Sequence, residues 1–146
     1  MTKIVICALF LFFPIEIRAQ SSIANKISYI TVGANLTLDT IHSLKSEDKK
    51  RALIKQGIRD GITITTSELL KRAIHKNRPD NSDSKSFPSE HSALSCVSIS
   101  YKDNRRIAIE FPIAFGTMSG RVLAMKHDWI DVLSGCAIGS LVGLIR

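Results

Sequence analysis

SIANKISYITVGANLTLDTIHSL, residues 22–44, carries Ile23, Ile27, Ile30, Ala34, Leu38 and Ile41 at three- and four-residue spacing. That period aligns them along one side of a helix, so the stretch reads as an amphipathic α-helix. The charged cluster Lys45 to Arg51 follows. A second helical pattern then starts at Ala52, Leu53, Ile54 and Ile58 and runs toward Leu69, Leu70 and Ile74. Inside it, Gly61 to Thr66 alternates and is β-branched, so local propensity alone permits a short strand there.

Further along, Asn77 to Phe87 is rich in Pro, Asp, Asn and Ser and reads as a loop. Pro88 suits the first turn of a new helix that reaches about Tyr101. Lys102-Asp103-Asn104 is turn-like, and Arg105 to Met118 is a further helix, interrupted early by Pro112 and ended or bent at Gly120. The last segment, Asp128 to Ile145, is mostly apolar but punctuated by Asp131, Ser134 and Ser140, as suits a core helix that carries a site. Five helices without repeats make an all-α, single-domain helical bundle.

Ahead of the first helix, Lys3, the apolar run Ile4 to Phe13, Pro14 and then Ala19 before Gln20-Ser21-Ser22 have the layout of a secretory signal peptide. The apolar run is shorter than the roughly 20 residues a spanning helix needs. The expected organisation is therefore a leader at 1–19, cleaved after Ala19, and a domain at 20–146, exported to a periplasmic or extracellular location. Among 146 residues the net charge is +7, and losing the leader leaves the domain basic. For an exported protein this suits phosphorylated small molecules or lipid headgroups. No basic stretch interleaved with aromatics points to nucleic acid. Cys96 and Cys136 could pair in an oxidising compartment. Two small buried hydrophobes is the more ordinary use, because sequence does not fix the distance between them.

Chemistry concentrates in three pieces: Lys71 followed after six residues by Arg78-Pro79; Pro88-Ser89-Glu90-His91; and Arg121, His127 and Asp131. Lys71, Arg78 and Arg121 can surround a phosphoryl group, the arginines as planar forks and the lysine as a point charge. They would neutralise charge on its oxygens without a metal. Ser89 at a helix start can add its hydroxyl and free backbone N–H groups. His127 and Asp131 are four apart, so on a helix they share a face and the carboxylate can fix the imidazole tautomer. The other ring nitrogen is then free to attack phosphorus, and His91 can protonate the leaving oxygen. Singly, each piece has an ordinary explanation: a surface ion pair, a turn, a cap. Each position matches by chance about once in twenty, so nine in the right order carry weight together.

These pieces resemble the three signature motifs of the type 2 phosphatidic acid phosphatase superfamily, which includes bacterial acid phosphatases and vanadium haloperoxidases. The likeness runs from about Leu70 to Gly139, and includes Ser86-Phe87-Pro88-Ser89 and Asp131-Val132-Leu133-Ser134-Gly135. By that resemblance Lys71, Arg78, Ser89 and Arg121 are phosphate ligands, His91 the general acid, His127 the nucleophile and Asp131 its orienting partner. The resemblance implies hydrolysis of phosphate monoesters or lipid phosphates with no metal or other cofactor. The family fold is a helical bundle with the site at helix ends, which favours helix over strand at Ile62 to Thr66.

Two positions depart from the family pattern. Glu90 stands at the phosphate site where the family usually has glycine; as a first-turn carboxylate it suits the helix dipole, but pointing inward it would repel a dianion. Gly120 precedes Arg121 where serine is common. His42 and His75 match no motif position and are expected to be solvated, and Trp129 is expected to pack on a neighbouring helix. Two competing readings remain: a catalytically weakened anion-binding or membrane-associated helical protein, and a vanadate-dependent peroxidase. A soluble or peripherally membrane-attached enzyme is expected over an integral one, since only Trp129 to Ile145 approaches spanning length.

Overall fold

Each segment with a helical pattern forms a helix, and α2 to α5 each start at a capping residue. The structure, a computed structural model, describes residues 2–99 and 103–145, with side chains described from residue 20 onward. Its elements are α1 (Thr2–Lys45), α2 (Lys49–Ile74), α3 (Glu90–Val97), α4 (Asn104–Leu123) and α5 (Trp129–Gly143). Asp48 caps α2 by accepting from the Arg51 N–H, and Asp103 caps α4 by accepting from the Arg105 and Arg106 N–H groups. α2 closes at His75, whose left-handed backbone (φ 50°) turns its N–H back to the Lys71 carbonyl. Among the described residues the protein is an all-α bundle, and Gly61 to Thr66 lies inside α2.

Several boundaries differ from expectation. The leader expected at 1–19 falls where side chains lie outside the description; from Thr2 the backbone is helical and continuous with the rest of α1. Pro88 is not in the first turn of α3: Ser89 is the N-cap, preceded by a cis Phe87–Pro88 peptide. α3 ends at Val97, and Tyr101 and Lys102 lie outside the described residues. Pro112 does not interrupt α4. It sits on the exposed side together with Ala108, whose carbonyl it deprives of the usual helical partner. Gly120 does not end α4 either; it is where α4 meets α1, since a Cβ there would lie 2.9 Å from the Ala24 carbonyl oxygen.

The larger departure concerns which helix face is buried. On α1 the apolar stripe points outward: Ile23 is 58% exposed and Ile30 70%. The buried side is Ala24, Ser28, Val32, Asn35 and Asp39. α2 is inverted in the same way, exposing Ile54 and Ile58 and burying Gln56, Thr63, Ser67 and Lys71. Small polar residues let helices approach closely and then need partners. Asn35 supplies them at the centre, donating from Nδ2 to the Ser95 carbonyl (3.1 Å), Ser95 Oγ (2.9 Å) and the Glu110 carbonyl (3.1 Å), so one side chain ties α1 to α3 and α4. Thr117 continues the network, donating to Thr31 Oγ1 at 2.8 Å. The buried apolar cluster is small by comparison: Cys96, Ile99 and Ala114, flanked by Ile107 and Cys136.

α3 is only eight residues long and is held by α5. A Cβ at Gly135 would lie 2.2 Å from the Ser89 carbonyl oxygen, and one at Gly139 would lie 2.0 Å from that of Ala93. Backbone therefore rests directly on backbone along this contact. Cys96 and Cys136 are joined in a disulfide across the same two helices, which corrects the reading of them as two separate buried hydrophobes; helix packing brings their Cα atoms to 5.1 Å, a distance the sequence could not supply.

Gly139→Ala is expected to lower stability by about 3 kcal/mol, because backbone cannot move aside as a flexible side chain could. Gly57→Ala, in exposed helix with nothing near its Cβ position, is expected to raise stability by up to about 1 kcal/mol. Denaturant melts of the two variants check both signs.

Candidate active site

Four helix ends meet at one end of the bundle: the C-termini of α2 and α4, the N-terminus of α3 and the segment leading into α5. They enclose a cavity of about 270 Å³ lined by Lys71, Arg78, Glu90, His91, Arg121 and His127, together with Asn25, Tyr29, Ser82, Asp83 and Lys126. Six of the expected site residues thus share one cavity, although up to 56 positions separate them in sequence. A larger cavity of about 420 Å³ lies at the opposite end, beside an ion network in which Asp39 pairs with Arg59 (3.2 Å) and Arg106 (3.3 Å). It contains neither of the motif histidines.

Ser89 and Asp131 stand behind the cavity. Ser89 is buried, and its Oγ caps α3 by accepting from the Ser92 N–H at 3.5 Å and also accepts from Ser92 Oγ at 3.0 Å. Its N–H donates to the Asp131 carbonyl at 2.9 Å, so it joins α3 to α5. The expected shared helical face of His127 and Asp131 is not formed: α5 begins at Trp129, leaving His127 in the preceding turn. Asp131 Oδ2 lies 3.8 Å from His127 Nδ1, and the hydrogen bond at Nδ1, 2.6 Å, goes to the Ser86 carbonyl. A carbonyl can only accept, so Nδ1 carries the proton and Nε2 keeps its lone pair. Asp131 acts one step back: its carboxylate accepts from Ser86 Oγ and from the Asp128 N–H at 3.0 Å.

Lys76 completes this support. Its Nζ bonds Asp131 Oδ1 at 2.7 Å and Asp128 Oδ2 at 2.9 Å, and its carbonyl accepts from the Ser86 N–H at 2.9 Å. Burial would raise the Asp131 carboxyl, but hydrogen bonds from Lys76, Ser86 and the Asp128 backbone outweigh it and hold the group below its ordinary value. The loop itself is closed by the Arg78 N–H to the Asp83 carbonyl (2.9 Å) and the Asp80 N–H to the Met125 carbonyl (3.0 Å).

The cations differ in how they are balanced. Lys71 Nζ bonds Glu90 (2.7 Å) and Glu68 (3.0 Å), Arg78 Nε bonds Asp83 (2.7 Å), and Lys126 pairs with Asp80. Arg121 is 3% exposed and forms no ion pair among the described residues. It donates to Asn25 Oδ1 at 2.6 Å and lies 5.6 Å from the Tyr29 ring centre, while its Nε is buried without a hydrogen-bond partner. Burial, with Arg78 adding to it, draws the Arg121 guanidinium below its ordinary value. A buried, uncompensated guanidinium favours capture of an anion.

Both imidazoles are neutral in this field. Burial, then Arg121, Lys71 and Arg78, push His91 down to about 4; burial, then Arg121 and Arg78, push His127 down to about 3. The Tyr29 ring meets His91 edge-on at 4.6 Å. Of the residues without a motif, His42 and His75 are exposed as expected, and Trp129, half-exposed, stacks on Phe115 at 6.4 Å.

Asn25, Tyr29, Lys76, Asp83 and Lys126 were not assigned from sequence. Asn25 lies 96 positions from the arginine it holds and Lys76 lies 55 from its carboxylate, so no local pattern marks them. Compared with protein-family models, curated proteins and solved structures, the chain matches none.

Two outcomes are expected. Removing the Lys76 charge leaves a buried carboxylate short of a partner, so Lys76→Met is expected to cost about 1–3 kcal/mol in denaturant melts, with most of the loss restored by Lys76→Arg. Because His127 has a folded value below its ordinary 6.5, the unfolded chain binds the extra proton first, and stability falls as pH drops from 6.5 toward 3. His127→Asn is expected to lose less stability than the wild type across that window.

Proposed function

We propose that the protein is a metal-independent phosphatase that hydrolyses phosphate monoesters, lipid phosphates among them, through a phosphohistidine formed on His127. One observation carries this reading: a buried guanidinium without a carboxylate partner among the described residues, Arg121, shares a cavity of phosphate-ester size with two neutral imidazoles. Arg121, Arg78 and Lys71 would hold the phosphoryl oxygens. His127, its proton fixed on Nδ1, would form the N–P bond from Nε2 as the P–O bond to the leaving group breaks. His91 would give that leaving oxygen a proton. The entering dianion offsets the three cations that depress His91 and so raises its proton affinity. In the second half His91 would take a proton from water as the water oxygen bonds phosphorus and the N–P bond breaks.

Outward apolar side chains on α4 and α5, among them Phe111, Phe115, Ile130 and Leu133, support work against a lipid surface. Among the described residues no helix is long and apolar enough to cross a membrane. An exported location remains part of the proposal on the strength of the leader-like residues 1–19.

A second reading has its own support. Glu90 lines the cavity and occupies Lys71, which suits a weakened, anion-binding protein. Turnover of p-nitrophenyl phosphate in chelator separates the two. His127→Ala is expected to lower kcat more than about a thousandfold while keeping phosphate affinity. Wild type and variant that bind phosphate equally and are equally inert would establish the second reading, and dependence on added divalent metal would contradict the first.

A further inference from the structure

Three of the four cations lining the cavity are already matched by acids, and two of those acids, Glu90 and Asp83, line it as well. A phosphoryl group that draws Lys71 and Arg78 toward its oxygens takes them from Glu90 and Asp83. These carboxylates would then face a dianion across a small, partly desolvated space, where like charges repel strongly. Glu90 and Glu68 already converge on one ammonium, Lys71 Nζ, at 2.7 and 3.0 Å. Tyr29, half-exposed beside His91, adds an aromatic edge to the same wall.

We propose that the cavity selects phosphate monoesters whose organic portion carries an ammonium group a few bonds from phosphorus, with Glu90 as the residue that receives it and Asp83 as a second acid in reach. Substrate and site then complement each other in both signs. The phosphate goes to Arg121, which has no acid of its own among the described residues, and the ammonium replaces the cation that Glu90 gives up. A neutral alkyl phosphate leaves Glu90 without one. The proposal rests on the reading of this cavity as a phosphomonoester site and specifies which monoesters it prefers.

Binding tests it without requiring turnover. Calorimetry on the wild-type protein at neutral pH compares aminoethylphosphonate with propylphosphonate, which replaces the ammonium by a methyl group. The aminoalkyl compound is expected to bind about fivefold to tenfold tighter, the range of one charge-assisted contact. In Glu90→Gln the difference is expected to fall within twofold, with propylphosphonate binding better than to the wild type. Equal affinities in the wild type, or an undiminished preference in a folded Glu90→Gln, would overturn the proposal; the wild-type comparison decides by itself if the variant does not fold.

Parallel assays with p-nitrophenyl phosphate keep the two proposals apart. Turnover without an ammonium preference removes only the specificity, and preference without turnover removes only the hydrolase. A long-chain aminoalkylphosphonate in neutral detergent micelles, set beside the short one, identifies the source: tighter binding of the long compound marks a lipid, and of the short one a soluble ester.

Discussion

Two helix N-termini can serve one small cavity only if their backbones nearly touch, and Gly135 and Gly139 make that possible. With no side chain at either position, α5 settles onto the carbonyls of Ser89 and Ala93. The remaining geometry follows from this contact. The Ser89 N–H reaches the Asp131 carbonyl, the Asp131 carboxylate holds Ser86, and the Ser86 carbonyl sets the His127 tautomer. The disulfide between Cys96 and Cys136 joins the same two helices further along. An imidazole in a turn outside any helix is thereby held as firmly as a core residue.

The polar interior follows the same logic at larger scale. Ser28, Asn35, Thr63, Ser95 and Thr117 occupy positions where larger apolar groups would hold the helices apart. The hydrogen bonds of Asn35, Ser95 and Thr117 cross between helices, so packing there is directional as well as close, while Ser28 and Thr63 bond carbonyls of their own helices. At the end of the bundle away from the histidines, acids and bases balance locally, as in Asp39 with Arg59 and Arg106. At the histidine end Arg121 has no acid partner among the described residues, and a buried guanidinium in that position would favour an anion.

Helix existence was legible because a three-to-four period survives whichever way the face turns. The face itself was not. Hydrophobicity alone would turn Ile23, Ile27 and Ile30 inward, yet on this chain the small polar side packs and the isoleucines lie outside. The strand-like run at Gly61 to Thr66 shows the same limit: β-branched propensity is weak against twelve residues of helix on one side and eight on the other. Lys71, Arg78, His91, Arg121 and His127, picked out from the sequence as the residue types a phosphate site would need, do line one cavity. Ser89 and Asp131 were readable as residues but not by position, since caps and turns turn their side chains toward the scaffold. Lys76 and Asn25 were silent, because only the folded chain brings them to their partners.

The central claim is that His127 becomes covalently attached to phosphorus. Its most direct measurement is intact-protein and peptide mass spectrometry after mixing with substrate in the cold and quenching in alkaline denaturant, which preserves a phosphoramidate. The expected result is one added phosphoryl group on the peptide that contains His127, absent from His127→Ala. Steady hydrolysis with no adduct at that residue, or with the adduct on another side chain, would contradict it.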